Sequence, residues 1–179
     1  NVVHVDGSVD PKRDVEIIET ELAMADIGSV EKRLEAVKGK LKTGTSKELE
    51  MQKSVLERWF AALEKGQLAR SIELSDEEKV CVSDLMLLTT KPILYVVNVD
   101  EDEAKDLNWV SPLGPDRLAL PISVKIESEL VDLSAEEAKM FLTELGLPES
   151  GLDRVIKKCY QLLELITFLT TGEDETRAW

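Results

Sequence analysis

The run Pro92-Ile93-Leu94-Tyr95-Val96-Val97-Asn98 constrains this chain more than any other feature, because elsewhere the apolar residues recur at helical spacing and here the period breaks. A short, nearly continuous apolar stretch rich in β-branched and aromatic residues reads as a strand covered on both faces. That is the environment of a parallel sheet with helices packed above and below it. Residues 118–123 read as a second short strand, with Ser123-Val124-Lys125 at its end. Parallel pairing of the two needs a crossover of about a dozen residues or more, and the segment between them is long enough. Pro112, Gly114 and Pro115 keep the second half of that segment out of regular helix. The chain is therefore expected in the α/β class.

Helical patterning dominates what precedes the strand. Pro11 suits a first helical turn, and Val15, Ile18, Leu22 and Ala25 follow at helical spacing. Gly28-Ser29 is expected to interrupt that helix, with Ser29 capping the next. Val30, Leu34, Val37 and Leu41 then alternate four- and three-residue steps, as a coiled-coil seam requires. After a Lys-rich Gly turn, residues 46–65 carry Leu49, Leu56, Phe60 and Leu63 on one stripe and Val55, Trp59 and Ala62 on its neighbour. The two segments predict an antiparallel helical hairpin whose Glu- and Lys-rich outer face is solvated. Ser75 and Glu78 form a capping box, from which a helix is predicted to continue to Leu88. A second capping box starts at Ser134, its helix ending at Leu145 before Gly146, and Ser150 opens another helix to about Glu164. Residues 165–171 and the turn Gly172-Glu173-Asp174-Glu175 predict the start of a β-hairpin.

Charge narrows the function classes. Among 179 residues there are 22 Lys and Arg against 36 Asp and Glu, a net charge of −14, so the chain repels phosphate backbones and direct nucleic-acid binding is not expected. A 43% hydrophobic content is enough for a real core. No apolar run approaches the roughly 18 residues of a membrane span, and no leader opens the chain. Cys81 and Cys159 lie in no motif and suit a reducing compartment, so a cytoplasmic protein without a membrane partner is expected. The chain opens on Asn1 without methionine and closes just after a tight turn, and it reads as a piece of a larger protein.

In open α/β sheets ligands sit at the carboxyl ends of the strands, and Asn98-Val99-Asp100-Glu101 lies at such an end. An Asn amide both gives and takes a hydrogen bond at a purine edge, and a carboxylate three residues on accepts from an amine or a hydroxyl. The same residues also suit a plain turn with a solvated acidic rim. His4, the one histidine, taken alone suits a surface or packing position. Gly39-Lys40-Leu41-Lys42-Thr43-Gly44-Thr45-Ser46 imitates a phosphate loop, but Thr45 stands where Lys must reach the phosphates and the stretch lies between helices. No residue of the chain is read as a metal ligand.

Asn98-Val99-Asp100-Glu101 after Lys91-Pro92-Ile93-Leu94-Tyr95-Val96-Val97 resembles the base-reading segment of the YchF/Obg-like ATPases, a branch of the P-loop GTPase superfamily. Further resemblance lies in residues 1–10, Thr20 to Asp26, Glu149 to Arg154, Ile166-Thr167-Phe168 and Arg177-Ala178-Trp179, in order along nearly the whole chain. The fold this implies is part of a P-loop NTPase (G domain) parallel sheet with an inserted antiparallel α-helical coiled-coil hairpin, followed by the start of a small β-rich TGS-like domain. Its implied divisions are 1–27, G-domain segment; 28–74, helical insertion; 75–164, the C-terminal part of the G domain; and 165–179, a truncated TGS-like start.

In most relatives within the superfamily the base-reading segment is Asn-Lys-x-Asp, whose Asp accepts from the guanine N1–H and N2 amine. Adenine lacks both donors, so Glu101 in place of that Asp and Val99 in place of the Lys are expected to admit ATP, with GTP used less well. Asn98, Val99 and Glu101, together with Ser123, Val124 and Lys125 as the second base-contacting loop, are the nucleotide-binding residues the resemblance implies. His4 is the implied catalytic residue, positioning the water that attacks the γ-phosphate. ATP is the implied cofactor, with Mg2+ held by ligands outside this chain and K+ as a further cation. The implied partner is the ribosome. The P-loop, first switch and metal-linked turn are expected upstream of Asn1, so this chain alone is expected to hydrolyse nothing. The stretch Asp102 to Arg117 is shorter and more proline-interrupted than the helix the family has there. The competing expectation is a non-catalytic helical-hairpin module that docks on a partner.

Overall fold

The computed structural model describes residues 9–106, 108–172 and 175–178, and the chain divides into two compact units after Pro92. In the first unit α1 spans Pro11–Thr43, with the Asp10 side chain accepting from the Arg13 amide at its start. Residues 44–46 turn the chain, Ser46 caps the next helix by accepting from the Leu49 amide, and α2 runs Lys47–Leu63. So short a link returns the second helix antiparallel to the first. Val30, Leu34 and Val37 of α1 pack in one cluster with Val55, Leu56, Trp59 and Leu63 of α2, all buried. The predicted hairpin is present.

The predicted break at Gly28-Ser29 is not there. Helix α1 passes through both residues, and the buried positions Ala23, Asp26, Val30, Leu34 and Val37 carry one seam across them. A helical glycine costs only about 1 kcal/mol relative to alanine, which the packing of the flanking Ile27 and Val30 offsets. The seam also shifts the register of the first stretch: Ala23 and Asp26 face inward, while Ala25 is exposed and Ile18 half-exposed.

A 3-10 turn at Ala69–Ser71 and a short helix α3, Asp76–Cys81, close the unit. Both halves of the Ser75–Glu78 capping box are formed. Helix α3 stops well short of Leu88: its terminal Cys81 carbonyl accepts from the Gln52 side chain at 2.8 Å, and the chain further on is held by Asp26 instead. Its buried carboxylate accepts from the Leu88 amide at 2.9 Å, the Thr89 amide at 2.7 Å and the Thr89 hydroxyl at 2.6 Å. Those amides are thereby drawn out of a helical ladder while Leu87 is buried.

The second unit opens with β1, Tyr95–Asn98, paired in parallel with β2, Ala119–Ile122, in the register Tyr95↔Ala119 through Asn98↔Ile122. A short helix α4, Glu101–Lys105, follows β1, and α5, Val124–Val131, follows β2. Helix α5 corrects the sequence reading, in which Ser123-Val124-Lys125 ends a strand. Ser123 instead stands at the N-cap, and the alternation Val124-Lys125-Ile126-Glu127 hides the helix behind a strand-like period. Within this chain Val96 of β1 is 52% exposed, and among the described residues β2 is its one strand neighbour. Pro121 has no N–H to offer a further strand, which suits β2 to a sheet edge.

Beyond lie α6, Ala135–Leu145, and α7, Gly151–Leu162. The Ser134–Glu137 capping box opens α6 and Gly146 closes it in the left-handed conformation that glycine adopts without strain. Strands β3, Leu169–Thr171, and β4, Thr176–Ala178, pair as an antiparallel hairpin, shorter than the predicted run because Leu165, Ile166 and Phe168 precede the pairing. Both cysteines are free thiols, and among the described residues no helix is long and apolar enough to cross a membrane.

Candidate nucleotide-base site

The register of the parallel pair builds the site. The carboxyl ends of two parallel strands coincide, so the residues after Asn98 and after Ile122 emerge side by side, and each exit leads into the first turn of a helix. The Val99 amide donates to the Ile122 carbonyl at 3.0 Å, extending the pairing one residue past the strands. Asp100 then turns its carboxylate onto its own helix, accepting from the Glu103 amide at 2.8 Å. Asp100 is a cap, which leaves Asn98 and Glu101 as the outward-acting polar residues of the loop.

Two bonds tie this loop to the next. The Asn98 side-chain oxygen accepts from the Val124 amide at 3.2 Å, and the Lys125 ammonium donates to the Glu101 carboxylate at 2.6 Å. The structure thus brings together Asn98, Val99, Glu101, Ser123, Val124 and Lys125. The hydrogen bond and charge of Lys125 hold the Glu101 carboxyl below the usual carboxylate range, and Glu101 raises the Lys125 ammonium in turn. A depressed carboxyl contributes its tie fully above its unfolded pKa and loses it as the pH falls through the folded value, so in acid the Glu101–Lys125 tie is lost while the Asn98–Val124 bond, which does not titrate, remains. His4 lies outside the described residues. Gly39 sits within α1 and Ser46 caps α2, so the imitation phosphate loop is a helix end and a turn.

One residue behind the site was not legible in the sequence. Glu127 of α5 accepts from the Gly151 amide at 2.7 Å and the Leu152 amide at 3.1 Å, supplying the anion that the exposed amides at the start of α7 favour. Gly151 is required there: a Cβ would lie 2.9 Å from Ile122 Cγ2 and 2.8 Å from Glu127 Oε1. The ends of β2, α5 and α7 are therefore fastened together directly behind Ser123-Val124-Lys125. No local signal announces it, since 24 residues separate the partners.

The residues present fit the edge of a purine: an Asn amide, a backbone exit lined by Val99, and an acid–base pair. Among the described residues no group of three or more His, Cys, Asp or Glu converges to hold a metal ion. A parallel pair with polar exits into helices, preceded along the chain by a long helical hairpin, is the arrangement expected from the resemblance to a P-loop NTPase G domain with an inserted hairpin. No family model matches the chain. It is 43% identical over 192 residues to the "Ribosome-binding ATPase YchF" of Bacillus subtilis (strain 168), covering 100% of this chain and 51% of that protein. It is 35% identical over 191 residues to "Obg-like ATPase 1" of Saccharomyces cerevisiae (strain ATCC 204508 / S288c), covering 99% of this chain and 48% of that protein. The solved Schizosaccharomyces pombe YchF GTPase matches with a TM-score of 0.75 at 32% identity, over 100% of this chain and 51% of that one. The chain belongs to the YchF/Obg-like ATPase family, and it spans about half the length of the curated relatives it matches.

Proposed function

We propose that this chain is the base-reading and helical-hairpin portion of an enzyme that hydrolyses ATP, and GTP less well, to the diphosphate and phosphate, and that works in association with ribosomes. The observation that carries the reading is the double tie of Asn98 to Val124 and Glu101 to Lys125, which makes one polar edge of two loops at the carboxyl end of a parallel pair. That the relatives are named ribosome-binding ATPases supports the activity and the partner. Asn98 presents its amide to the purine. Val99, lacking a cation, gives the ring apolar contact and a backbone carbonyl that can accept from the adenine N6 amine. His4 orients the attacking water, phosphoryl transfer depending mainly on positioning and charge neutralisation. When bound, Mg2+ supplies the neutralising charge from ligands elsewhere in the full-length polypeptide, with K+ as a further cation. The hairpin of α1 and α2 and the TGS-like start at β3 and β4 offer the ribosome contacts, in the cytoplasm, and residues 1–179 alone do not turn over nucleotide.

The test is equilibrium binding of fluorescent ATP and GTP to the full-length polypeptide. Asn98→Ala removes the base contact and the tie to Val124 and should weaken ATP binding about tenfold or more. Unchanged ATP binding in Asn98→Ala, with ribosome co-sedimentation intact, would instead favour a hairpin module whose α/β part is a scaffold.

A further inference from the structure

We infer that Lys125 is a specificity-determining residue, which steers the site towards adenine by occupying the Glu101 carboxylate that guanine would need. The inference rests on the nucleotide reading above and adds to it the means by which the acidic residue is silenced. Guanine offers its N1–H and N2 amine as two parallel donors, and a carboxylate answers them with both oxygens at once. In this structure one oxygen of Glu101 accepts from the Lys125 ammonium at 2.6 Å. The backbone that carries Lys125 is fixed on both sides, by the Val124 amide on Asn98 and by Glu127, two residues on, fastened to the start of α7. The paired carboxylate has one unoccupied oxygen, so it cannot answer guanine's two parallel donors with one free oxygen each. Its charge is also neutralised, which removes the repulsion a bare carboxylate would exert on the lone pair of adenine N1. Guanine thus loses a contact and adenine loses an obstacle, both through a residue that need not touch the base.

The side chains of Lys125 and Glu101 are 70% and 38% exposed, and exposed ion pairs are weak, so the effect belongs in the range of a few-fold. Binding of ATP and GTP to the full-length polypeptide should show Lys125→Met lowering the ATP-to-GTP affinity ratio about two- to fivefold, mostly by strengthening GTP. Lys125→Arg, which keeps a cation on the carboxylate, should restore the wild-type ratio. In a Glu101→Gln background the same Lys125→Met change should leave the ratio unmoved, since no carboxylate is released. An unchanged ratio in Lys125→Met, whether both affinities stay the same or both fall equally as from a direct phosphate or base contact, would overturn the inference and leave the nucleotide reading of the wild-type polypeptide standing. Failure of the wild-type polypeptide to bind either nucleotide would overturn the underlying reading and the inference with it.

Discussion

Asp26 shows at the scale of one residue how a carboxylate is used for architecture. It is 3% exposed on the inner seam of α1, where its two oxygens take the amides of Leu88 and Thr89 and the Thr89 hydroxyl, which itself accepts from the Ala69 amide at 3.2 Å. A buried donor left without an acceptor costs its full desolvation, so Asp26→Ala should destabilise the protein by about 3 kcal/mol, read as a lowered urea midpoint with unchanged slope. Loss of less than about 1 kcal/mol would show that water satisfies the knot. Nothing near Asp26 in sequence announces this role, because an acid among Met24, Ala25 and Ile27 reads as a solvated break in an apolar stripe. Its acceptors' partners lie 62 and 63 residues away. The Asn98 and Glu101 positions were legible for the opposite reason: their meaning is set by the strand directly before them.

At the scale of elements, two glycines at helix positions have opposite requirements. Gly28 in α1 has nothing within 4 Å of where a Cβ would stand, while Gly151 at the start of α7 abuts Ile122 and Glu127. Gly28→Ala should therefore stabilise the protein by about 0.5–1 kcal/mol through helix propensity. Gly151→Ala should destabilise it and loosen the attachment of α7 to α5, and thermal melts of the two variants should move in opposite directions. If Gly28→Ala lowered the midpoint, α1 would have to bend at that point. Serines mark four of these helix starts, Ser46, Ser75, Ser134 and Ser150 each accepting an amide of the first turn, whereas the expected cap at Ser29 lies inside the unbroken α1. Helix ends were less legible, as α3 shows, because partners distant in sequence, Gln52 on the Cys81 carbonyl and Asp26 on the Leu88 and Thr89 amides, hold the chain where the helix was expected to continue.

At the scale of the whole molecule, the first unit encloses its own hydrophobic cluster, from Ala23 of α1 to Leu87 after α3. Residues 1–92 produced alone should fold as a helical hairpin with a cooperative thermal transition by circular dichroism, and a shallow, non-cooperative melt would show that the cluster is insufficient. What the amino-acid order determined by itself was the class of fold, the hairpin, the parallel pair and the two loops at its end. Each rests on a period, a cap or a motif spelled by neighbouring residues. What only the tertiary structure decided was which loop residues meet, where α3 stops, that α1 runs unbroken past Gly28, and that Lys125 closes on Glu101. Those outcomes depend on acceptors and packing partners brought together by folding, and local order carries no record of a neighbour that is distant along the chain.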